Sequence, residues 1–430
     1  MSWGSTGTVL SSLGKDEPVA LTPLEEVRSR ILAAMPRLEP EHIAYTAAVG
    51  RVLAEPVTAP EDVPAFPNSS MDGFAVRAAD VAEPGALLEV VADVPAGQVA
   101  SMAVGEGEAI RIMTGAPMPE GADAVVRVED TEMEGEKVRI GVSVPPGNYV
   151  RPAGGDVARG ELIFEAGLRL TPVELGVLAT LGAVEVAVAR RPRVAVMSTG
   201  DELASPETRN LGPGMIRDSN RPMLIALVSA AGAEVVDLGR VSDDVDELRS
   251  ALERGAVEAD AIVTSGGVSM GDYDVTKLML RDDAGVDFIS VAMKPGKPLA
   301  FGRIGGTPFF GLPGNPVSVL VSFEQFMRPA LLAMQGARAL LRPQVMGVAG
   351  ERLETDPAKT VFLRVKVADD WTEMRVVQTG GQASNRLSGA AGADAFAVVP
   401  RGVGVVEEGE PVVLELFRAP ETREHRDDDT

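Results

Sequence analysis

Three lysines, Lys277, Lys294 and Lys297, fall within twenty-one residues of a chain that has only seven, and arginine supplies most of its other positive charge. A lysine ammonium is a compact, strongly hydrated point charge, whereas a guanidinium is a broad planar fork. Lysines chosen at one place therefore point to a small or tetrahedral anion. Carboxylates accompany them: Asp201, Glu202, Asp243, Asp244, Asp272 and Asp274. Acidic groups beside an anion need a hard cation to neutralise them, and magnesium bridging to a phosphate meets that need. Asp243 and Asp244 also precede Val245-Asp246-Glu247-Leu248, where they read as helix N-caps.

Glycine-bearing turns surround these charges. They are Ser198-Thr199-Gly200-Asp201-Glu202, the run Ser265-Gly266-Gly267-Val268-Ser269-Met270-Gly271-Asp272-Tyr273-Asp274, Lys294-Pro295-Gly296-Lys297-Pro298, and Leu312-Pro313-Gly314-Asn315-Pro316. Glycine lets backbone amides approach an anion closely, as phosphate-binding loops do. None of these runs is a Walker motif or a dinucleotide fingerprint. A single such loop reads as an ordinary turn; four at one sheet edge read as a binding rim.

The rest of the composition narrows the chemistry. Cysteine is absent, so disulfides, thiolate metal sites and a cysteine nucleophile are excluded. Two histidines, His42 and His425, are too few for a multi-histidine metal site. Forty Lys plus Arg against 63 Asp plus Glu leave a net charge of −23 in 430 residues, which disfavours a nucleic-acid backbone or an anionic membrane as partner. The N-terminus lacks the early positive charge and long apolar run of a signal peptide, and the apolar stretch Leu175–Ala189 is too short to span a bilayer, so the chain reads as cytoplasmic.

These loops need elements to hold them. Leu21-Thr22-Pro23-Leu24-Glu25 predicts a helix with Thr22 as N-cap, Pro23 at its first position and Glu25 closing a capping box. Leu170-Thr171-Pro172-Val173-Glu174 repeats the same start. Residues 58–154 between them are rich in Gly, Pro and Val, with Val125–Asp130 and Lys137–Ile140 expected as strands joined by a glycine-containing turn. The flanking pieces, 18–57 and 155–188, are expected to pack together as one discontinuous linking domain around a β-rich insertion. From 189 to 338 strands and helices alternate, which predicts a doubly wound α/β domain with ligands beyond the carboxyl ends of its strands. Within it Met223–Ala231, Asp244–Gly255 and Val317–Met334 read as helices. Residues 339–418 return to strands and predict a small β-barrel-like domain, while 1–17 and 419–430 read as disordered tails. In the insertion, turn chemistry accounts for Asp72-Gly73 and a buried hydroxyl for Thr114.

Taken together, Asn68–Ala75, Arg111–Pro119, Ser198–Leu203, Ser265–Lys277, Met293–Pro298 and Gly311–Ser318 resemble, in order, the molybdopterin molybdenumtransferase family, the molybdenum-inserting enzymes of molybdenum-cofactor synthesis, related to the C-terminal part of gephyrin. The resemblance covers about residues 18–418. It implies four domains and an elongated homodimer with a site shared between subunits, Asp72 and Thr114 reaching it from the neighbouring copy. The implied reaction is magnesium-dependent: adenylylated molybdopterin and molybdate give the molybdenum cofactor and release AMP.

By the same resemblance Glu202 and Asp274 are magnesium or phosphate-site carboxylates, and Asp72, Asp156 and Asp243 are further functional acids. Thr114 binds substrate, Lys294 and Lys297 receive molybdate or phosphate oxygens, and Pro313, Gly314 and Pro316 shape the adjoining loop. Ser198, Thr199, Gly200, Gly266, Gly267, Ser269 and Asp272 line the substrate, with Arg364 and Ser384 contributing from the last domain. The chain departs from the family string at Gly155, where an acidic residue is usual before Asp156, and the run Gly381–Ser388 matches only approximately. A transient encounter with a molybdopterin adenylyltransferase is implied as well. Two other readings stand beside this one: the adenylyltransferase itself, which shares the α/β domain but needs ATP and usually lacks the insertion, and a gephyrin-like scaffold.

Overall fold

Alternate residues of the strand Arg193–Thr199 feed two different cores. Val194 and Val196 pack with Leu224, Val228, Phe310 and Phe326, while Ala195 and Met197 pack with Leu248, Leu252 and Ile262. A strand buried on both faces needs helices on both faces, which is the condition for a doubly wound sheet. The computed structural model, which describes residues 20–267, 280, 285–368 and 373–418, shows that arrangement. Six strands lie in the order Glu234–Val241, Arg193–Thr199, Ala261–Ser265, Thr307–Leu312, Pro298–Ile304 and Asp287–Ser290. The first four are mutually parallel, and Pro298–Ile304 runs antiparallel to its neighbours on both sides, Thr307–Leu312 and Asp287–Ser290. Helices Asn220–Ala230 and Pro316–Ser322 cover one face, and Val245–Glu258 the other.

The helical run Pro316–Met334 is long and apolar enough to cross a membrane by length and composition, but 83% of it is buried inside the protein. It is interrupted by a π-turn at Phe323–Met327, which turns Glu324 and Gln325 inward among buried residues. Both find polar partners: Gln325 donates to Glu415 at 2.6 Å and accepts from Arg28, and Glu324 takes a two-pronged Arg342 at 2.9 Å. These bonds tie the α/β domain to the last domain. That domain is a closed five-stranded barrel of Thr360–Val367, Arg375–Gln378, Gln344–Ala349, Pro411–Leu416 and Ala395–Val399, with its own core around Leu353, Val365, Val376 and Leu414. The short strand Met293–Lys294 joins its edge by pairing with Thr360 and Val361.

The chain divides into two compact units, one of Met1–Glu39 with Ala189–Thr430 and one of Pro40–Val188. In the second, six strands form a sheet in the order Ala124–Arg127, Gly73–Val76, Glu108–Ile112, Leu87–Val94, Lys137–Ile140 and Thr131–Glu134, with apolar clusters around Phe74 and Ile110. Helix Pro172–Thr180 packs separately with Ala48, Leu53 and Val188.

Three expectations need correction. Helix Leu24–Ala33 belongs to the unit that holds the α/β domain rather than to the one that holds Pro172–Thr180, because Leu24, Val27 and Ile31 join the apolar cluster of Phe323 and Leu331. Nor does Thr22 cap it. The backbone of Thr22 pairs beside Val291, bonding to Ser290 and Ala292 at 2.8 Å each, and the helix starts after Pro23 with no side-chain cap. The hairpin partner of Lys137–Ile140 is Thr131–Glu134, since Val128–Asp130 turns into a 3₁₀ segment.

Candidate functional site

The polar loops lie where the parallel strands end. Arg193–Thr199 delivers Ser198 and Thr199, both buried, to the carboxyl edge, and the chain then reverses at Gly200 with φ +140°. A Cβ there would lie 2.5 Å from the Glu202 carboxylate, so glycine allows Glu202 to fold back over the turn. Asp201 and Asp243 meet at the same turn through reciprocal long hydrogen bonds. The Asp201 amide donates to Asp243 at 3.4 Å, and the Asp243 amide to Asp201 at 3.3 Å. Asp244 alone caps helix Val245–Glu258, accepting from Asp246 and Glu247 at 3.0 Å each. The two adjacent aspartates thus divide the work, and Asp243 is left at the strand end with Asp201.

Ala261–Ser265 brings Gly266 and Gly267 to the same edge. Gly266 has φ +98°, and a Cβ would sit 2.6 Å from the Thr199 carbonyl oxygen, so this crossing of two strand ends requires glycine. Ser269, Asp272 and Asp274 lie outside the described residues, as do Lys277 and both expected tails. Thr307–Leu312 leads into Pro313-Gly314-Asn315, and Pro316 opens the next helix, where a proline at the first turn costs no hydrogen bond.

Two residues that sequence reading passed over hold these loops together. Asp218, 3% exposed, accepts a hydrogen bond from Ser198 Oγ at 2.5 Å and from the amides of Asn220 and Arg221 at 3.1 Å. Asn220, 9% exposed, donates from Nδ2 to Ser265 Oγ and to the Gly314 carbonyl, each at 2.7 Å. The signal was the run Asp218-Ser219-Asn220 ahead of a helix, which reads as a simple cap.

The last domain contributes a second layer. Lys294 is exposed on the short strand beside the barrel, and its charge, with that of Lys359, lowers the pKa of Asp356; the leading cause is the Lys359 hydrogen bond at 2.6 Å. Lys297 follows Gly296, whose φ is +100°. Ser384 reaches the α/β domain through its carbonyl, which accepts from the Val317 amide at 3.0 Å. Arg364 is 1% exposed, and its guanidinium is spent on the Gly381–Arg386 loop: Nη2 donates to the Gly381 carbonyl at 2.7 Å and Nη1 to that of Arg386 at 2.9 Å. It shapes the loop bearing Ser384 rather than offering free donors to an anion.

Within the other unit the structure joins Asp72 and Thr114, which are 42 positions apart. The Thr114 amide and hydroxyl both donate to Asp72 Oδ1 at 2.7 Å, and these bonds, helped by Arg111, hold the Asp72 carboxyl below the usual range. Both side chains are exposed, so Thr114 is not the buried hydroxyl its sequence context suggested. Gly73 beside them is forced, because a Cβ would come within 2.0 Å of the Val126 carbonyl oxygen. Asp156 sits exposed on a different loop, its amide on the Val63 carbonyl at 3.0 Å.

Comparison with known proteins decides the family. Matches to the MoeA N-terminal region (domains I and II) cover residues 22–182, to the probable molybdopterin-binding domain 195–333, and to the MoeA C-terminal region (domain IV) 347–417. The chain belongs to the molybdopterin molybdenumtransferase family. It is 42% identical to molybdopterin molybdenumtransferase 2 of Mycobacterium tuberculosis over 88% of this chain and 96% of that one. The molybdopterin molybdenumtransferase of Haemophilus influenzae is 36% identical over 92% and 98% of the two chains. The crystal structure of a molybdopterin biosynthesis protein from Pyrococcus horikoshii superposes with a TM-score of 0.83 at 29% identity, covering 93% of this chain and all of that one. These matches agree with the α/β domain and the closed C-terminal barrel.

Magnesium is the cofactor that the resemblance implies. Among the described residues no cluster of three or more His, Asp or Glu forms a ready-made metal cage. The donor chemistry nevertheless suits it: Asp201 and Asp243 face each other across one turn, and the Glu202 carboxylate folds back over Gly200 beside them in sequence. Magnesium is commonly held by one or two carboxylates plus substrate phosphates and water, so an incomplete protein cage fits.

Proposed function

We propose that this protein inserts molybdenum into molybdopterin, taking adenylylated molybdopterin and molybdate to molybdenum cofactor with release of AMP. The observation that carries the reading is the convergence of the Gly200, Gly266 and Gly314 turns at one sheet edge, held by Asn220 and Asp218, in a chain of this family. The glycines bring backbone amides to where a pyrophosphate sits. Lys294 and Lys297 supply point charges for a tetrahedral oxyanion. Glu202 and Asp274 would hold Mg²⁺, which when bound would offset the charge of the phosphates, with Asp243 a further functional acid. No residue serves as covalent nucleophile in this scheme, so the rate gain comes from positioning and electrostatic stabilisation.

The reading includes a homodimer in which Asp72 and Thr114 of one copy complete the edge of the other. It also includes a cytoplasmic setting and a passing encounter with the adenylyltransferase that makes the substrate. Asp156 and Ser384 are kept as substrate contacts, and Arg364 acts through the loop it shapes.

Glu202→Ala should abolish molybdate-dependent AMP release while leaving the oligomeric state and unfolding profile unchanged. Undiminished turnover would remove Glu202 from the scheme. Consumption of ATP in place of AMP release would favour the adenylyltransferase, and neither activity would favour a scaffold.

A further inference from the structure

We infer that Asn220 is a positioning residue for this transfer, one that sets the spacing between the Ser265–Gly267 turn and the Pro313–Pro316 loop. The inference rests on the functional reading above and adds to it a residue acting through the loops. Asn220 stands at the start of helix Asn220–Ala230, and its side chain is almost wholly buried. The Gly314 carbonyl can only accept a hydrogen bond, so the atom facing it at 2.7 Å must be the amide nitrogen. That fixes the amide orientation, and Ser265 Oγ, also at 2.7 Å, must then accept the second amide proton. Ser265 keeps its own hydroxyl proton for another acceptor at the strand end.

One planar group thereby locks the ends of two adjacent parallel strands, Ala261–Ser265 and Thr307–Leu312. Asp218, two residues earlier, ties in the neighbouring strand through Ser198 and the Leu203–Ala204 segment through its own amide, which donates to the Ala204 carbonyl at 2.9 Å. All three glycine turns proposed to face the pyrophosphate are held from behind by this one segment. Asn220 Oδ1 and Thr199 Oγ1 are buried without a protein partner among the described residues, so this layer is polar beyond what its own packing satisfies. A device that fixes loop spacing acts on how well a phosphate-bearing substrate fits, so its loss should appear chiefly in KM.

The test uses the full-length protein with Asn220→Ala, the nearly isosteric Asn220→Asp, Ser265→Ala and the Asn220→Ala/Ser265→Ala pair. Asn220→Asp sets an oxygen against the Gly314 carbonyl without changing the side chain's size, so it reads the proposal even if the alanine variant does not fold. Both Asn220 variants should lower kcat/KM for AMP release by about tenfold or more, mostly by raising KM for adenylylated molybdopterin. Amide exchange over 264–267 and 312–318 should quicken. The double variant should lose less than the product of the two single losses, because the two residues share one hydrogen bond. A lower melting temperature with unchanged KM and exchange, or strictly multiplicative losses, would overturn the inference. If the wild type releases no AMP, the functional reading fails separately, and unchanged loop exchange would still count against the staple.

Discussion

Thr114 donates twice to a single oxygen of Asp72, from its amide and from its hydroxyl, and both bonds measure 2.7 Å. Two hydrogen bonds to one carboxylate oxygen favour the ionised form, with the backbone bond the larger cause. The Asp72 pKa is depressed in the fold, so the stability it adds is present above the unfolded carboxylate value of about 4 and lost as pH falls through the lower folded value. Thr114→Val removes only the hydroxyl donor. The Asp72 pKa should therefore rise part of the way toward its ordinary value, the backbone bond keeping it depressed, as read by carbon-detected NMR titration of the side chain. No change would mean that the hydroxyl bond does not persist in solution.

Arg364 offers a second measurable consequence. Its guanidinium supplies the carbonyls of Gly381 and Arg386, while the Gln382 side chain pairs with the Arg364 backbone at 3.0 Å in both directions. Arg364→Met keeps the apolar stem but leaves two part-buried carbonyls without donors, each costing at most roughly 1–3 kcal/mol. The barrel should lose about 3 kcal/mol in urea unfolding, and amide exchange over 379–388 should accelerate. Arg364→Lys restores the charge but not the fork, so it should recover only a minor part of that loss. Because Ser384 bonds to Val317, AMP release should fall in both variants, and full activity in Arg364→Met would show the loop to be dispensable.

The α/β domain was legible because its signals are local. Alternating apolar runs mark buried strands, and glycines at strand ends mark turns that admit no Cβ, as Gly266 shows. The Asp72–Thr114 pair was not legible from residue types because antiparallel register makes it. Gly73 pairs with Ile112, which carries the residue before one next to the residues after the other. Asn220 escaped notice for a related reason: polar residues ahead of a helix ordinarily cap it, and nothing in the spacing shows that this one reaches across to Gly314, 94 positions away. The placement of helix Leu24–Ala33 was misjudged because its apolar stripe specifies burial but not the partner surface.

The two matching Thr-Pro helix starts allow a comparison in which sequence context is constant and tertiary context differs. At Thr171 the cap forms: its hydroxyl accepts from the Val173 amide at 3.3 Å, and Glu174 accepts from the Thr171 amide at 2.6 Å. At Thr22 the backbone is drawn into pairing beside Val291, and no side-chain cap is made. Thr171→Ala should therefore destabilise the unit Pro40–Val188 by about 1 kcal/mol, with faster amide exchange in Pro172–Thr180. Thr22→Ala should change stability by no more than about 0.5 kcal/mol, the range for a side chain outside any such feature. Equal losses at the two positions would mean that Thr22 caps its helix in solution, and that the bridge to Val291 gives way to it.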